Sequence, residues 1–420
     1  MPVSKALLGL GFRSIDFLRG SYAARVTRLE KIMKIRSRTN KALLQCVATG
    51  RALLVVFVVS LFTSGFVLSV NANEGKTTII TIDVPGAGTG ANQGTEALAI
   101  SPDGTITGFY FDSGNVVHGF VRNKHGGLTT FDAPGAGTGS GQGTFSFSIS
   151  PNDTITGYYF DSKSVVHGYV RSHDGVFVTF DAPGAGTGSG QGTFSFSINP
   201  NGTTAGQYSD ESGAFHGFVR APNSAITTFD APGAGTGSGQ GTLVVAVDGL
   251  NPAGAIVGLI IDDSNVFHGY VRAHDGVITT FDVPGGGTGA AQGTNTSGIN
   301  PAGTVAGVLI DGSGVNHGYV RAPDGAITLF DVPGAGTSTG QGTIPEAINP
   351  AGTIPGNYID SSSVNHGFVR DKNGGLTTFD APGAGTGIGQ GTTPLTNNPS
   401  GAIVGFYLDA TNVFHGFLLE

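Results

Sequence analysis

The sequence predicts an all-β protein folded as a seven-bladed β-propeller, and three observations lead to this prediction. The dipeptide His-Gly followed by Phe or Tyr recurs seven times after residue 77, at intervals of 49 residues with one interval of 52. Each repeat contains four short segments rich in β-branched and aromatic residues, separated by Gly, Pro, Asn and Asp. No window after residue 72 shows helical periodicity. Seven equal units of about 49 residues match propeller blades better than the shorter coils of a β-solenoid.

Each repeat divides into four predicted strands. In the third repeat they are TFSFSIN, TTAGQYSD, FHGFVR and ITTFD, at residues 193–199, 203–210, 215–220 and 226–230. The Gly-rich segment APGAGTGSGQG follows the fourth strand. We expect it to carry the chain from the outer edge of one blade to the inner strand of the next, which places the TFSFSIN-type strands closest to the axis.

The ends of the repeat region predict how the ring closes. The first strand, 79–83, is of the ITTFD type, and the last strand, 414–420, is of the His-Gly-Phe type. In the other repeats these two types are consecutive strands of a hairpin. Pairing of the first strand with the last would complete the seventh blade and remove two exposed sheet edges. The propeller domain is therefore predicted to span residues 77–420.

The first 72 residues have a different composition. Residues 1–51 form a basic leader, and residues 52–72 form an apolar run that ends in Val-Asn-Ala. This run predicts a signal peptide cleaved after Ala72, with a retained membrane anchor as the alternative. A short basic segment follows Met33, which makes Met33 an alternative start. In either case the basic leader predicts that the propeller is secreted, periplasmic or on the outer cell surface.

Charge and composition exclude several classes of protein. Residues 73–420 contain 10 Lys and Arg against 27 Asp and Glu. This acidic body lacks the clustered cations that nucleic acids and anionic membranes require, so nucleic acid is excluded as a partner. We expect membrane contact only through the N-terminal segment, if it is uncleaved, and we expect a monomer. The same residues contain no Cys, which excludes a disulfide scaffold.

The recurrent pattern Ile-Asn-Pro-x-Gly, Gly-x-Tyr-x-Asp and His-Gly-Phe-Val-Arg resembles the HAF repeat family of bacterial extracellular proteins. That family is named for a His-Ala-Phe tripeptide, which here reads His-Gly-Phe or His-Gly-Tyr. The resemblance covers about residues 77–420. It implies an exported, propeller-like repeat protein and carries over no catalytic residue.

Two residue types that bind metals recur in every repeat, because an Asp lies six residues before each His. These candidates are Asp112, His118, Asp161, His167, Asp210, His216, Asp262, His268, Asp311, His317, Asp360, His366, Asp409 and His415. A feature present in every blade favours a structural role, with Asp capping a turn and His118 pairing with Asp132 across two strands. We therefore predict no catalytic residue, no cofactor and no metal site, and keep calcium as the ion to test.

Function is better sought where the repeats differ. The fourth repeat carries three extra residues near 247–250, the sixth has Glu346, and the seventh has Asn397-Asn398. The lack of a recognisable catalytic set favours a binding or scaffold module for glycan or protein ligands. The alternative is a carbohydrate-active lyase or hydrolase. That alternative predicts a few unique carboxylates with perturbed pKa values at the mouth of the central channel.

Overall fold

The strands of the protein close into a ring of seven blades. The structure is a computed structural model that describes residues 78–244 and 247–420. The predicted leader at 1–51, the signal peptide or anchor at 52–72 and the alternative start at Met33 lie outside the described residues. The described ranges contain 28 strands joined in one continuous hydrogen-bonded sheet. Within those ranges, no helix is long and apolar enough to cross a membrane.

Each blade is a sheet of four antiparallel strands, which we name A to D from the axis to the outer edge of the ring. The A strands are β2 (Gly94–Ile100), β6 (Gly143–Ile149), β10 (Gly192–Ile198), β14 (Gly241–Val244), β18 (Gly293–Ile299), β22 (Gly342–Pro345) and β26 (Gly391–Asn397). The B strands are β3 (Ile106–Phe111), β7 (Ile155–Phe160), β11 (Thr204–Ser209), β15 (Ile256–Ile261), β19 (Val305–Ile310), β23 (Ile354–Ile359) and β27 (Ile403–Leu408).

The C and D strands form the outer half of each blade. The C strands are β4 (Val117–Arg122), β8 (Val166–Arg171), β12 (Phe215–Arg220), β16 (Phe267–Arg272), β20 (Asn316–Arg321), β24 (Asn365–Arg370) and β28 (Phe414–Leu419). The D strands are β1 (Ile79–Ile82), β5 (Leu128–Phe131), β9 (Phe177–Phe180), β13 (Ile226–Phe229), β17 (Ile278–Phe281), β21 (Ile327–Phe330) and β25 (Leu376–Phe379). Blades 1 to 6 follow one another along the chain from β2 to β25.

The seventh blade combines both ends of the propeller. Strands β26, β27 and β28 supply positions A to C, and β1 supplies position D by pairing antiparallel with β28. Beyond this pairing, the Thr78 N–H donates to the Glu420 carbonyl at 2.8 Å, and the Glu420 N–H donates back at 2.9 Å. The predicted closure of the ring by its first and last strands is therefore confirmed. Closure gives the C strand of the last blade the partner that every other C strand has.

The hydrophobic core lies between adjacent blades. The aromatic residue after each His-Gly dipeptide is buried there with 0% of its surface exposed, namely Phe120, Tyr169, Phe218, Tyr270, Tyr319, Phe368 and Phe417. Phe368, for example, packs on Ala306 of the preceding blade and on Ile348 and Ile354 of its own blade. Burying one such side chain contributes about 1.5–3 kcal/mol. The third residue of the tripeptide is therefore a packing residue.

Neighbouring blades also meet where each A strand begins. Gly192, the first residue of β10, pairs with Val166 in the C strand of the preceding blade. The φ of Gly192 is 125°, and a Cβ on it would stand 2.0 Å from the Val166 oxygen. Only glycine fits such a position. The Gly-rich segment between the D strand of one blade and the A strand of the next is called the crossover loop. The Gln-Gly dipeptide at its end thus fixes how closely successive blades approach.

The glycine of the His-Gly dipeptide has a steric role, because an aromatic ring of strand D lies across it. A Cβ on Gly217 would stand 2.4 Å from the Phe229 ring, and the corresponding distance in blades 1 to 6 is 2.4–2.8 Å. In blade 7 the D strand carries Ile82 at this register position. There the nearest atom to a Cβ on Gly416 is the Ile82 oxygen, at 3.1 Å.

We expect Gly217→Ala to lower the free energy of unfolding by about 1–3 kcal/mol, because the Phe229 ring must leave its place to admit the methyl group. Urea denaturation measures this loss. Gly416→Ala is the matched control and should cost less than about 1 kcal/mol, since no ring covers that glycine. Equal losses in the two variants would contradict the steric explanation.

Candidate functional site

The fourteen predicted Asp and His candidates lie at one end of the ring, beside the B–C turns and the crossover loops. In blade 1 the Nδ1 of His118 lies 3.0 Å from Asp132 Oδ1, and its Nε2 lies 3.6 Å from Asp112 Oδ2. Asp112 Oδ1 also accepts the backbone N–H groups of Gly114 and Val116. The first Asp therefore caps its turn and His118 pairs with Asp132, as the sequence spacing predicts. The second contact of His118, to Asp112, was not predicted.

The same arrangement recurs in the other six blades. The Nδ1 of each His lies 2.8–3.0 Å from the second Asp, and its Nε2 lies 3.5–3.8 Å from the first. In blade 7 the second Asp is Asp83, so this pair also joins the two ends of the ring. Among residues 78–244 and 247–420, no group of three or more His, Cys, Asp or Glu is arranged to hold a metal ion.

The carboxylates raise the pKa of two of these histidines, His118 and His268. For His118 the main cause is its hydrogen bond to Asp132. For His268 burial acts to lower the pKa, but the hydrogen bond to Asp282 and the charges of Asp282 and Asp262 outweigh it. A His whose pKa is raised by folding stabilises the fold fully below its unfolded pKa of about 6.5. That contribution is lost as the pH rises through the folded pKa.

We expect Asp132→Asn to destabilise the protein more at pH 5.5 than at pH 9, because the carboxylate pairs with a charged His118 only at the lower pH. The loss at pH 5.5 should be at most about 1 kcal/mol, since the pair is partly exposed. Urea denaturation at the two pH values measures the difference. Asp282→Asn should behave alike in blade 4, and a loss independent of pH would show that the His charge is not involved.

The opposite end of the ring holds a pocket of about 130 Å³ between the A–B turns of blades 4 to 7. We call it the axial pocket and define it by Asp248, Asn251, Asn300, Asn349 and Asn397. It lies next to the innermost strands of these blades. Asn251, Asn300 and Asn349 come from equivalent Asn-Pro turns, whereas Asp248 and Asn397 have no counterpart of the same type in the other blades.

Two departures from the repeat meet at this pocket. The insertion in blade 4 places Asp248 in the pocket wall, and blade 7 contributes Asn397. Glu346 of blade 6 follows strand β22 at the same end of the ring, just before the A–B turn of that blade. The sequence identifies these segments as irregular. Only the ring shows that they share one end of the axis.

Burial raises the pKa of both unique carboxyl groups at this end. The pKa of Asp248 rises to about 7 and that of Glu346 to about 8. Each residue is only partly exposed, and desolvation of the ionised form accounts for the rise. Carboxyl groups that titrate near neutral pH are typical of sites that exchange protons or meet a cationic ligand.

Asn397 carries an unusual buried group. Six blades have Ile or Leu at this position, whereas Asn397 is only 8% exposed. Its Nδ2 donates to the Thr353 carbonyl at 3.2 Å, and its Oδ1 is buried with no hydrogen-bond partner among the described residues. A buried oxygen without a donor costs about 1–3 kcal/mol. Asn397 therefore destabilises blade 7 at the wall of the axial pocket, whereas the Ile of other blades has no polar atom to leave unbonded.

We expect Asp248→Asn to raise the thermal unfolding temperature at pH 9 and to leave it nearly unchanged at pH 4. A carboxyl whose folded pKa is raised destabilises the fold as the pH rises from about 4 through that pKa, because the ionised form is poorly solvated in the folded state. Glu346→Gln should act in the same direction. A change of equal size at both pH values would mean that ionisation of these carboxyls does not oppose folding.

No family model and no curated protein matches this sequence. Among solved structures, a prolyl endopeptidase is similar at 10% identity over 74% of this chain and 46% of that chain, with a TM-score of 0.51. The BP39L lectin from Burkholderia pseudomallei is 9% identical over 76% of this chain and 96% of that chain, with a TM-score of 0.47. TolB from Acinetobacter baumannii is 11% identical over 78% of this chain and 63% of that chain, with a TM-score of 0.42.

The prolyl endopeptidase match supports a β-propeller, and at 10% identity it extends no further than the fold. The chain spans less than two thirds of the TolB chain and less than half of the prolyl endopeptidase chain. The protein is thus a β-propeller with a repeated Asp–His rim at one end and an irregular pocket at the other.

Proposed function

We propose that the protein is an exported binding module whose ligand site is the axial pocket and whose ligand is a glycan. The observation that supports this most strongly is the convergence of Asp248, Glu346 and Asn397 at one end of a ring that otherwise repeats. A repeated residue has a structural use in every blade, but these three have no counterparts in the other blades. The predicted leader and apolar segment support a secreted, periplasmic or cell-surface location.

The lining of the pocket suits a sugar better than a peptide. Asp248 and Asn397 offer oxygen atoms that accept hydrogen bonds from hydroxyl groups. Pro252, Pro301 and Pro350 offer apolar surface against which the C–H face of a sugar ring can pack. A volume of about 130 Å³ admits one ring-sized group. A protein ligand would have to present a single side chain there.

We expect a glycan array probed with the purified protein to show bound glycans, and Asp248→Asn and Asn397→Ile each to weaken binding by about ten-fold. Asn397→Ile restores the residue type of the other blades, so it should not disturb the fold. The control is Asp263→Asn, the same chemical change at an exposed position of the opposite end of blade 4. An array with no bound glycan would contradict the proposal. So would glycan binding that has the same affinity in all three variants as in the unaltered protein. Capture of a cell-envelope protein that is lost in Asp248→Asn and Asn397→Ile would identify a protein, and not a glycan, as the ligand.

One observation favours the alternative of a carbohydrate-active lyase or hydrolase. The pKa values of about 7 and 8 for Asp248 and Glu346 are suited to general acid and base catalysis near neutral pH. Release of reducing ends or of unsaturated sugars from a polysaccharide panel tests this. The enzyme reading requires that Asp248→Asn and Glu346→Gln each abolish turnover and that Asp263→Asn retain it.

A further inference from the structure

Three asparagine side chains of the axial pocket donate to backbone carbonyls. Asn251 Nδ2 donates to the Asn300 carbonyl at 3.1 Å, and Asn349 Nδ2 donates to the Asn398 carbonyl at 3.1 Å. Asn397 Nδ2 likewise donates to a backbone carbonyl, at 3.2 Å. Each of these three amide groups uses one of its two N–H donors in these bonds.

The backbone donors of the A–B turns are occupied as well. The N–H groups of Asn251, Asn300 and Asn349 each donate across their own turn at 3.0 Å. The next residue of each turn is a proline, which has no N–H to offer. The turns that surround the pocket therefore present apolar surface and carbonyl oxygens.

Asp248 and Asn397 each bring a hydrogen-bond acceptor to the wall of the pocket. Asp248 brings a partly exposed carboxylate, and the Oδ1 of Asn397 is buried without a donor among the described residues. A protonated amine carries three N–H donors and a charge opposite to that of Asp248, so it suits a pocket lined by these two acceptors.

The electrostatic surroundings favour the same ligand. Residues 73–420 carry 10 Lys and Arg against 27 Asp and Glu, a balance that attracts cations from solution. Burial raises the pKa of Asp248, and an ammonium group beside it would supply the opposite charge that its ionised form lacks.

We propose that the axial pocket binds the ammonium group of an amino sugar, held between the Asp248 carboxylate and the Asn397 Oδ1. This inference rests on the proposed glycan-binding function and names the class of glycan. A metal ion is the less suitable cation. The described residues contain no group of three or more His, Cys, Asp or Glu around one point, whereas Ca²⁺ takes six to eight oxygen ligands.

The test compares three disaccharides that differ only at carbon 2 of each ring. The β-1,4-linked glucosamine disaccharide carries an amine there, diacetylchitobiose an acetamide and cellobiose a hydroxyl. Isothermal titration of the full chain at pH 7 measures each affinity, since an amine with a pKa near 8 is mostly protonated at that pH. We expect the amine to bind about ten-fold more tightly than cellobiose.

The variants assign that preference to the pocket. Asp248→Asn should reduce the preference for the amine to less than about two-fold, because it removes the charge and keeps the shape. Asn397→Ile should weaken amine binding, and Asp263→Asn should leave the preference intact. Thermal unfolding of each variant shows that the ring is folded.

The remaining outcomes separate this inference from the proposed function. Equal affinity for the three disaccharides, or preference for the acetamide, would overturn the amine assignment while leaving a glycan-binding pocket. Absence of binding by all three disaccharides, together with an empty glycan array, would overturn both. Tighter binding of the peptide Gly-Lys-Gly than of the amine disaccharide would assign the pocket to a lysine side chain. Binding of Ca²⁺ alone that Asp248→Asn abolishes would assign it to a metal ion.

Discussion

The burial of one aromatic side chain between each pair of blades is the interaction on which the rest of the structure depends. A four-stranded blade has two faces and cannot cover either of them by itself, so each blade needs a neighbour on both sides. Phe218 and its six counterparts, all with no exposed surface, fill the space between neighbours. Only a closed ring meets this need for every blade, which is why the first strand must pair with the last.

The same short strand serves three purposes, and this explains the repeated His-Gly-aromatic tripeptide. In blade 3, Phe218 points into the core, Gly217 lies beneath the Phe229 ring, and His216 points to the rim between Asp210 and Asp230. His216 and Phe218 lie on one face of the strand at different positions along it, and Gly217 lies on the opposite face. Each residue of the tripeptide is therefore constrained by a different contact, and the sequence between the tripeptides is freer to vary.

Much of this could be predicted from the sequence, because the repeat shows the same local pattern seven times. The four strands of a blade, the closure of the ring and the pairing of His118 with Asp132 follow from spacing and from hairpin geometry. The HAF resemblance stays a prediction, as do export and the alternative start at Met33. The axial pocket could not be predicted, because Asp248 and Asn397 lie 149 residues apart and only the ring brings blade 4 near blade 7. The departure of these two residues from the repeat identifies their segments as irregular. It does not show that the two segments line the same pocket.

The two ends of the ring respond to protons for different physical reasons. At the Asp–His end, the hydrogen bond to Asp132 raises the pKa of His118 because it stabilises the protonated ring. At the axial pocket, Asp248 retains its proton because its ionised form is poorly solvated. A cationic ligand reverses that balance, since it solvates the ionised carboxylate in place of water. Proton and cation thus compete for the same oxygens of Asp248, and a site that titrates near pH 7 can exchange one for the other at little net cost.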